Sequence, residues 1–413
     1  MAGEKQPHTK GSNWDISLKI ANVDLAKFIR NMRLTNTMNS IYPIFTFDIS
    51  MDSFNIISYE IFGQEPIQVN MILVGEDQQP TETITFKLIY LNSQMPLVPK
   101  PMQGGTDHQD YSPMTFHCIV LPCYKLMATG VNAIFEEPAA LTPLQCVRET
   151  LKRSGISSTY LAIDERGMNP SIINQIIIPP MSVVRHINYI HELYGLYFGP
   201  LFRFCGIDPA TGNPILYIED LSQKITNDNP SIIIYQMPVN DKSGLRETIM
   251  NKCTDNKHFF TESPIITENY SNSNLISFRY NRVQILHPDD TLYSIQNITM
   301  DDVVKKTGTS QKKQLNYLSE LKDIETKYCT DLKGFAYEDG SYSTAALSSR
   351  SADQIKNTFQ IGITLKHNLV LTNLIRIGSV VEFKASVLDY MKYSGNYILK
   401  SSDIQWNKLG DQW

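Results

Sequence analysis

The chain has 413 residues, 42% of them hydrophobic, and a formal net charge of −5. This length exceeds one ordinary domain, so about two to four domains with apolar cores are expected. The slight acidity excludes a chain that binds nucleic acid through its overall charge. No run of about 18 apolar residues occurs, so no stable membrane insertion is expected. The polar start, residues 1–12, lacks the apolar segment of a secretion signal.

The cysteines follow neither a metal-binding nor a disulfide pattern. Only Cys118 and Cys123 are close in sequence, and no Cys-x-x-Cys pair occurs. A zinc site would need a second cluster, which is missing. We therefore interpret the cysteines as reduced, buried thiols of a protein made in the cytoplasm. The six are Cys118, Cys123, Cys146, Cys205, Cys253 and Cys329.

Short apolar segments separated by turn signals predict a first β domain over residues 13–125. In the first segment Ile16, Leu18 and Ile20 alternate with polar residues, as in a strand with one buried face. Several strands at this spacing are typical of an antiparallel barrel or sandwich. The predicted strands are Trp14–Val23, Phe28–Thr35, Ile44–Met51, Ile67–Val74, Ile84–Leu91 and Met114–Cys123.

Residues 126–227 predict a small α+β domain. Thr142-Pro143-Leu144-Gln145 has the pattern of a helix capping box with proline in the first turn. The segment Pro180–Leu221 predicts a helix that Gly195 ends, followed by an aromatic hairpin whose turn lies at residues 208–214. The predicted apolar stripe of this helix comprises Val184, Ile187, Ile190 and Leu193.

Strand patterns resume in residues 228–288 and 354–408, which we assign to a second β domain. Phe359, Ile361, Ile363 and Leu365 alternate with polar residues, as in a half-buried strand. The more polar residues 289–353 are interpreted as an insertion with a helix over Gln311–Lys333. The mixed charges of this helix fit a solvated face or a face that binds a partner.

One helix invites a metalloprotease interpretation, which its spacing does not support. A zincin helix needs His-Glu-x-x-His, but His191-Glu192 is followed by Leu193, Tyr194 and Gly195. His186 lies five residues before His191, so the two rings point to different sides of a helix. We therefore expect a packing helix with His186, His191 and Glu192 on or near its polar side.

Other catalytic patterns are also missing. The sequence has no Gly-x-Ser-x-Gly elbow, no phosphate-binding loop and no dinucleotide fingerprint. The carboxylate pair Asp48 and Asp52 is a weak indication of glycoside hydrolysis. No catalytic, cofactor-binding or metal-binding residue is assigned, no cofactor is expected, and the sequence predicts a protein that is not an enzyme.

The order of these domains resembles the central baseplate hub of contractile phage tails. This family includes the T4 tail hub, the Mu hub and the hub part of the valine-glycine-repeat spike protein of type VI secretion. One matching feature is the helix that follows Ile178-Pro-Pro180 and ends at Tyr194-Gly195. The insertion 289–353 has no match in the pattern. The stretches that carry the resemblance are Asn22–Val74, Val131–Ile218 and Phe359–Trp406, the last with Gly378 before the strand Val380–Phe383.

The resemblance implies a β-rich α+β fold. Two similar antiparallel β-barrels, residues 13–125 and residues 228–288 with 354–408, would flank the helix–hairpin domain 126–227. The insertion 289–353 would interrupt the second barrel. Three chains would form a ring of six barrels that joins a sixfold tail tube to a threefold central spike.

The resemblance also implies a location and partners. The chain would be a structural protein of the virion, assembled in the host cytoplasm into the tail baseplate. Its partners would be two further copies, a separate spike protein, the tail tube protein and baseplate wedge proteins. DNA would only pass through the enclosed channel, and an acidic lumen would repel it.

Two other functions compete with the hub. The chain could be another virion or injection-machine component, such as a wedge or an adhesin. It could also be a cell-wall hydrolase, which would require a cleft that gathers Asp48, Asp52, His191 or Glu192 around one point.

Overall fold

The computed structural model describes about three fifths of the chain. Strands dominate this part, with few helices, in agreement with the β-rich α+β prediction. The described residues are 13–20, 23–25, 27–38, 40–50, 66–74, 80–94, 113–136, 140–173, 175–208, 211–238, 244–253, 255, 257–268, 282–286, 293–297, 335–337, 359–365, 376–386 and 388–407.

The first β unit is an eight-stranded sheet whose neighbouring strands all pair antiparallel, in the order β2-β1-β5-β6-β7-β4-β3-β22. Seven strands come from the start of the chain and the eighth from its end. They are β1 (Asn13–Ile20), β2 (Val23–Asp24), β3 (Ile29–Thr37), β4 (Ile44–Ser50), β5 (Ile67–Val74), β6 (Pro80–Gln94), β7 (Pro113–Val120) and β22 (Ser401–Asn407).

Alternation along these strands fixes which face is buried. On β4, Phe45, Phe47 and Ile49 are buried, while Thr46 and Asp48 point to the other face. The predicted period-two pattern is thus confirmed for this sheet, whose apolar face supplies much of the core. The sheet is also curled, because β1 and β22 are far apart in strand order and yet contact each other through side chains.

The helix–hairpin unit follows and shares its core with the first sheet. Hairpin strands β11 and β12 pair antiparallel, β9 lies parallel to β12, and β8 pairs with β10. The elements are α1 (Leu121–Ala128), β8 (Gly130–Phe135), α2 (Pro143–Arg153), β9 (Leu161–Ile163), β10 (Ile176–Ser182), α3 (Val183–Tyr194), β11 (Leu201–Ile207), β12 (Pro214–Asp220) and α4 (Leu221–Asn227).

The predicted helix ends of this unit are confirmed, and two short helices are additional. The Thr142 hydroxyl accepts from the Gln145 backbone N–H, and the Gln145 side chain accepts from the Thr142 N–H, which forms the capping box. Gly195 ends α3 at a φ of 73°. The strand predicted to reach Cys123 instead ends at Val120, where α1 begins. Helix α4 was missed, although Asp220 caps its start.

The second β unit is a four-stranded sheet in the order β14-β13-β20-β21. Its strand β13 runs parallel to both β14 and β20, so the prediction of an antiparallel second barrel is wrong for these strands. Sequence alternation reports burial and not strand direction, and a helix between β13 and β14 makes their parallel pairing possible. The elements are β13 (Ile232–Gln236), α5 (Leu245–Lys252), β14 (His258–Thr261), β20 (Val380–Lys384) and β21 (Gly395–Ile398).

Two smaller sheets are formed by the segments between β14 and β20. Two strands of the predicted insertion, β17 and β18, pair with β16, while the helix predicted over residues 311–333 lies outside the described residues. A separate pair joins β15 to β19 antiparallel. The strands are β15 (Ile265–Glu268), β16 (Arg282–Leu286), β17 (Tyr293–Asn297), β18 (Phe335–Tyr337) and β19 (Phe359–Gly362).

The last strand leaves the second unit and returns to the first. Residues 354–408 were predicted to belong wholly to the second β domain, but β22 pairs along its whole length with β3. Only Leu399 and Lys400 separate β21 of the second sheet from β22 of the first. The two sheets are therefore joined by one nearly continuous extended segment.

Candidate assembly site

The outward face of the eight-stranded sheet carries polar side chains that bond from strand to strand. Asn70 on β5 donates to the Ser17 hydroxyl on β1 at 3.4 Å and accepts from the Thr85 hydroxyl on β6 at 3.0 Å. Gln68 donates to Asn70 at 3.3 Å. We call this surface the polar face. Its bonds add cross-strand contacts to the backbone ladder.

Asp48 occupies a central position on the polar face. Its carboxylate accepts from Asn31 on β3 at 2.7 Å and from the Thr115 hydroxyl on β7 at 2.5 Å. Asp48 therefore links three strands, while Asp52, its predicted partner, lies outside the described residues. Beyond it, Arg33 on β3 pairs with Asp403 on β22.

The charges of the polar face are balanced. Its described side chains at outward positions include four acids and three bases, and a fourth base, Arg30, is exposed at the bulge of β3, so this face has no strong field of one sign. The charged residues are Asp15, Asp24, Asp48, Asp403, Lys19, Arg33 and Lys87, together with Arg30.

Strand β22 holds the curled sheet and the second unit together. Its Trp406 is buried and meets Trp14 of β1 edge to face, with ring centroids 6.2 Å apart. Its Ile404 packs against the core of the first sheet and also against the core of the second. One seven-residue strand thus contributes to both cores.

A buried ion cluster lies where the second unit meets the hairpin. Glu219 on β12 pairs with Lys224 on α4, and the side chains are only 8% and 3% exposed. Arg376, which precedes β20 and is 43% exposed, donates to the other Glu219 oxygen at 2.6 Å. Burial lowers the pKa of Lys224, and the charge of Glu219 acts against this shift. We call these three residues the junction cluster.

The same loop packs closely against the hairpin. The Arg376 guanidinium lies 4.5 Å from the centre of the Tyr217 ring. Ile377 is fully buried beside Phe202. Gly378 has a φ of 83°, and a Cβ there would lie 2.6 Å from the Phe202 ring. Glycine is required on both counts, because other residues are strained at this φ and would clash.

Helix α3 is a packing element, as predicted, but the predicted position of His186 on its polar side is wrong. Its buried residues are Val183, His186, Ile187 and Ile190, so His186 lies in the core and not on the polar side. The buried stripe of α3 begins at Val183 and continues in steps of three and four residues, so it includes His186. His191 instead accepts from the Leu196 N–H at 3.2 Å and supports the helix end.

The buried ring of His186 predicts a pH dependence of stability. Neither ring nitrogen has a hydrogen-bond partner, and burial lowers its pKa from 6.5 to about 4. In the unfolded chain His186 binds a proton below about pH 6.5, whereas in the folded chain it binds one only near pH 4. The free energy of unfolding therefore falls as the pH is lowered from 6.5 to 4. At about 1.4 kcal/mol per pKa unit, the loss is about 3 kcal/mol.

The measurement is urea unfolding of the native protein and of His186→Leu at pH 7, 6, 5 and 4. We expect the variant to be at least as stable at pH 7, because no unpaired polar nitrogen stays buried. Its stability should fall less than that of the native protein towards pH 4. Identical pH profiles would show that His186 does not cause the loss.

Exposed isoleucines form an apolar patch on the ribbon of β8 and β10. Ile134 and Ile177 are register partners and are 58% and 60% exposed, with Ile172 nearby in sequence and half exposed. Arg153 donates to the Ile134 carbonyl at the edge of β8, and Pro179-Pro180 lack N–H donors in β10. Another strand would therefore pair poorly with either edge of this ribbon. Its exposed apolar face is better suited to contact another protein surface.

Within the described ranges, no group of three or more His, Cys, Asp or Glu could hold a metal ion. No helix in this part of the chain is long and apolar enough to cross a membrane. Sequence reasoning missed Glu219, Lys224 and Arg376. Glu219 and Lys224 are only five residues apart, but their pairing depends on burial and on helix α4, which was not predicted. Arg376 joins them from a segment far away in the chain. The cap-forming pattern Asp220-Leu-Ser222 was the one local signal near them.

Neither the protein-family models nor the curated proteins include a match to this chain. Its fold is similar to that of a tail protein from Neisseria meningitidis MC58, with 11% identity, a TM-score of 0.49, and coverage of 97% of this chain and 94% of that one. The 43 kDa tail protein of prophage MuSo2 from Shewanella oneidensis shows 10% identity, a TM-score of 0.44 and coverage of 95% and 94%.

A chain of the Francisella PdpA-VgrG complex is also similar, with 12% identity, a TM-score of 0.43, and coverage of 96% of this chain and 50% of that one. The predicted resemblance is confirmed to this extent, since these neighbours are tail proteins and a PdpA-VgrG complex.

Proposed function

We propose that this chain is a non-enzymatic hub subunit of a contractile tail baseplate, located in the virion and assembled in the host cytoplasm. One observation carries the proposal: a single chain holds two β sheets with separate cores, joined by the segment that runs from β21 of the second sheet into β22 of the first. Three such chains around a threefold axis would present six β units. That number suits an adapter between a sixfold tail tube and a threefold central spike.

The joints between the two sheets support this mechanical function. A closed ring needs the same contact to repeat around its axis, which requires a fixed angle between the two β units of each subunit. The segment β21–β22 joins the two sheets directly. The Arg376–Glu219 pair joins the second unit to the hairpin, which shares its core with the first sheet. Each connection would resist a change in this angle. The homotrimer would bind the spike on one side, the tube on the other, and wedge proteins at its outside.

The polar face is the proposed lining of the DNA channel. Uncharged Asn, Gln, Ser and Thr side chains bonded to one another offer few free donors to phosphates. Its balanced charges replace the acidic lumen expected from the net charge, because they would neither attract nor strongly repel DNA. DNA would thus pass without binding.

The apolar patch of Ile134 and Ile177 is the proposed contact with the next copy. Exposed apolar clusters of this kind mark protein–protein interfaces. A wedge or adhesin would share such a surface but would not need two linked β units. The hydrolase alternative gains no support, since Asp48 bridges sheet strands and His191 supports a helix end.

Sedimentation of the purified chain, alone and with its tube and spike proteins, tests the proposal. We expect a species with three times the mass of one chain, formed directly or with the spike. The double variant Ile134→Ser and Ile177→Ser should stay folded but dissociate, whereas Ile265→Ser, at an exposed site on β15, should not. A stable monomer that binds neither tube nor spike would contradict the proposal.

A further inference from the structure

An exposed phenylalanine lies between two bases on the turn that leads into β3. Phe28 is 40% exposed, and Lys27 and Arg30 beside it are also exposed. Within the described part of the chain, neither base forms a salt bridge. We call Lys27, Phe28 and Arg30 the rim turn. Aromatic side chains and arginine are enriched at the centres of protein interfaces, so the rim turn has the composition of a binding anchor.

The backbone holds the rim turn in a fixed position. The Phe28 N–H donates to the Leu25 carbonyl at 2.9 Å, which closes the turn. The Leu25 N–H donates to the Leu18 carbonyl on β1 at 2.8 Å, and the Leu25 side chain is fully buried. Ile29, which follows Phe28, is also buried. Phe28 is therefore exposed on a turn that is anchored on both sides, so a partner that binds it would lose little affinity to ordering of the chain.

The rim turn lies at the end of the first sheet that points away from the helix–hairpin unit. Ile29 at the start of β3 is in register with Ile49, and Ile49 with Met114 at the start of β7. Helix α1 begins at the other end of β7, and this strand has eight residues, so the two ends are about 20 Å apart or more. The hairpin also meets that other end, where the Cys205 N–H donates to the Ile41 carbonyl at 2.8 Å.

The charges at this end of the sheet complement an acidic partner. Lys19 and Asp24 are register partners on β1 and β2, so their charges offset each other. The rim turn adds two positive charges to a chain whose net charge is −5. Its aromatic ring needs an apolar pocket, which the phosphate backbone of DNA does not offer. The chemistry therefore fits a protein surface with an apolar pocket and carboxylates around it.

We propose that the rim turn binds the tail tube protein, at an apolar pocket rimmed by carboxylates. This contact rests on the hub function proposed above. In such a ring each chain supplies two β units but one helix–hairpin unit, so the β units number six and the helix–hairpin units three. The sixfold tube would then meet the free ends of the sheets, where the rim turn lies. Phe28 would fill the pocket, and Lys27 and Arg30 would pair with its carboxylates.

The test measures binding of the full chain to its purified tube protein by sedimentation over a range of concentrations. Phe28→Ala should weaken this binding about 30-fold or more, the usual effect of removing an aromatic anchor. The double variant Lys27→Glu and Arg30→Glu should weaken it about tenfold at low salt and less at high salt. Formation of the trimer and binding of the spike should not change, because the substituted side chains are exposed.

Matched controls lie on helix α1, at the opposite end of the sheet. Tyr124 is 39% exposed and is followed by the exposed Lys125. Tyr124→Ala and Lys125→Glu should leave tube binding unchanged.

Two kinds of failure can be told apart. If the native chain binds the tube and Phe28→Ala binds it equally well, the proposed contact is wrong but the hub function stands. The same holds if Tyr124→Ala weakens binding as much, or if the rim-turn variants lose binding to duplex DNA or to the spike instead. A native chain that binds neither tube nor spike would contradict the hub function itself.

Discussion

Replacing Glu219 with glutamine should lower the free energy of unfolding by about 3 kcal/mol or more, because it leaves the ammonium of Lys224 buried without a countercharge. Glutamine keeps nearly the same size, so the loss reports charge and not packing. The measurement is urea unfolding at pH 7, followed by a signal from each β unit. Coupling between the two units should weaken only slightly, since Arg376 is the one residue of the cluster that comes from the second unit and it is 43% exposed.

Three further variants separate the causes. Arg376→Ala should cost no more than about 1 kcal/mol, because this side chain is half exposed and water screens its charge. Arg33→Ala, which breaks an exposed pair with Asp403, should cost about as little. Adding Lys224→Met to Glu219→Gln should recover much of the stability, since no unpaired charge stays buried. A double variant as unstable as Glu219→Gln would refute this account of the junction cluster.

Replacing Trp406 with alanine should destabilise the protein by about 3–5 kcal/mol, the usual cost of removing a large buried aromatic side chain. The ring fills the space between β22 and Trp14 of β1, and no other described residue of β22 is buried as deeply. Hydrogen exchange should show faster exchange at β22 and at its partner β3.

Two controls fix the interpretation of this result. Trp406→Phe keeps an aromatic ring and should cost about half as much or less. Gln405→Ala, one residue earlier on the exposed face, should change stability by no more than about 0.5 kcal/mol. If Trp406→Ala left exchange at β3 unchanged, β22 would not hold the first sheet in the way that its position indicates.

Local patterns in the sequence were enough to predict many elements. The alternation at Phe45, Phe47 and Ile49 depends only on period two, and the capping box at Thr142 and Gln145 depends on four neighbouring residues. Gly195 ends its helix because glycine adopts a positive φ without strain. Each of these signals lies within one element, so no tertiary contact is needed to interpret it.

Pairing between distant segments could not be predicted in this way. The pattern of Ile404 and Trp406 predicts a strand, but nothing in it states that β3 is the partner. The parallel direction of β13 leaves no mark on its apolar alternation. His186 was misplaced because a polar residue type was assumed to lie on a polar face, whereas tertiary packing buries it without a partner.

At the candidate assembly site, too, the sequence shows the residues but not the contacts between them. Polar residues on strands were visible in the sequence, yet the bonds from Asp48 to Asn31 and Thr115 arise only once three strands lie side by side. The junction cluster joins residues 219 and 376 across the chain, and its energy depends on burial that composition does not reveal. Interfaces between copies can be identified only in the assembled particle.

An image reconstruction of the assembled particle, with this chain located by a fused tag, tests the central claim most directly. The hub proposal predicts three copies in a closed ring between the tail tube and the spike, with two β units from each copy alternating around the axis. Copies found at the periphery of the baseplate, or on fibres, would contradict it. A ring of six copies would also contradict it, because the two β units of one chain would then not supply the sixfold match.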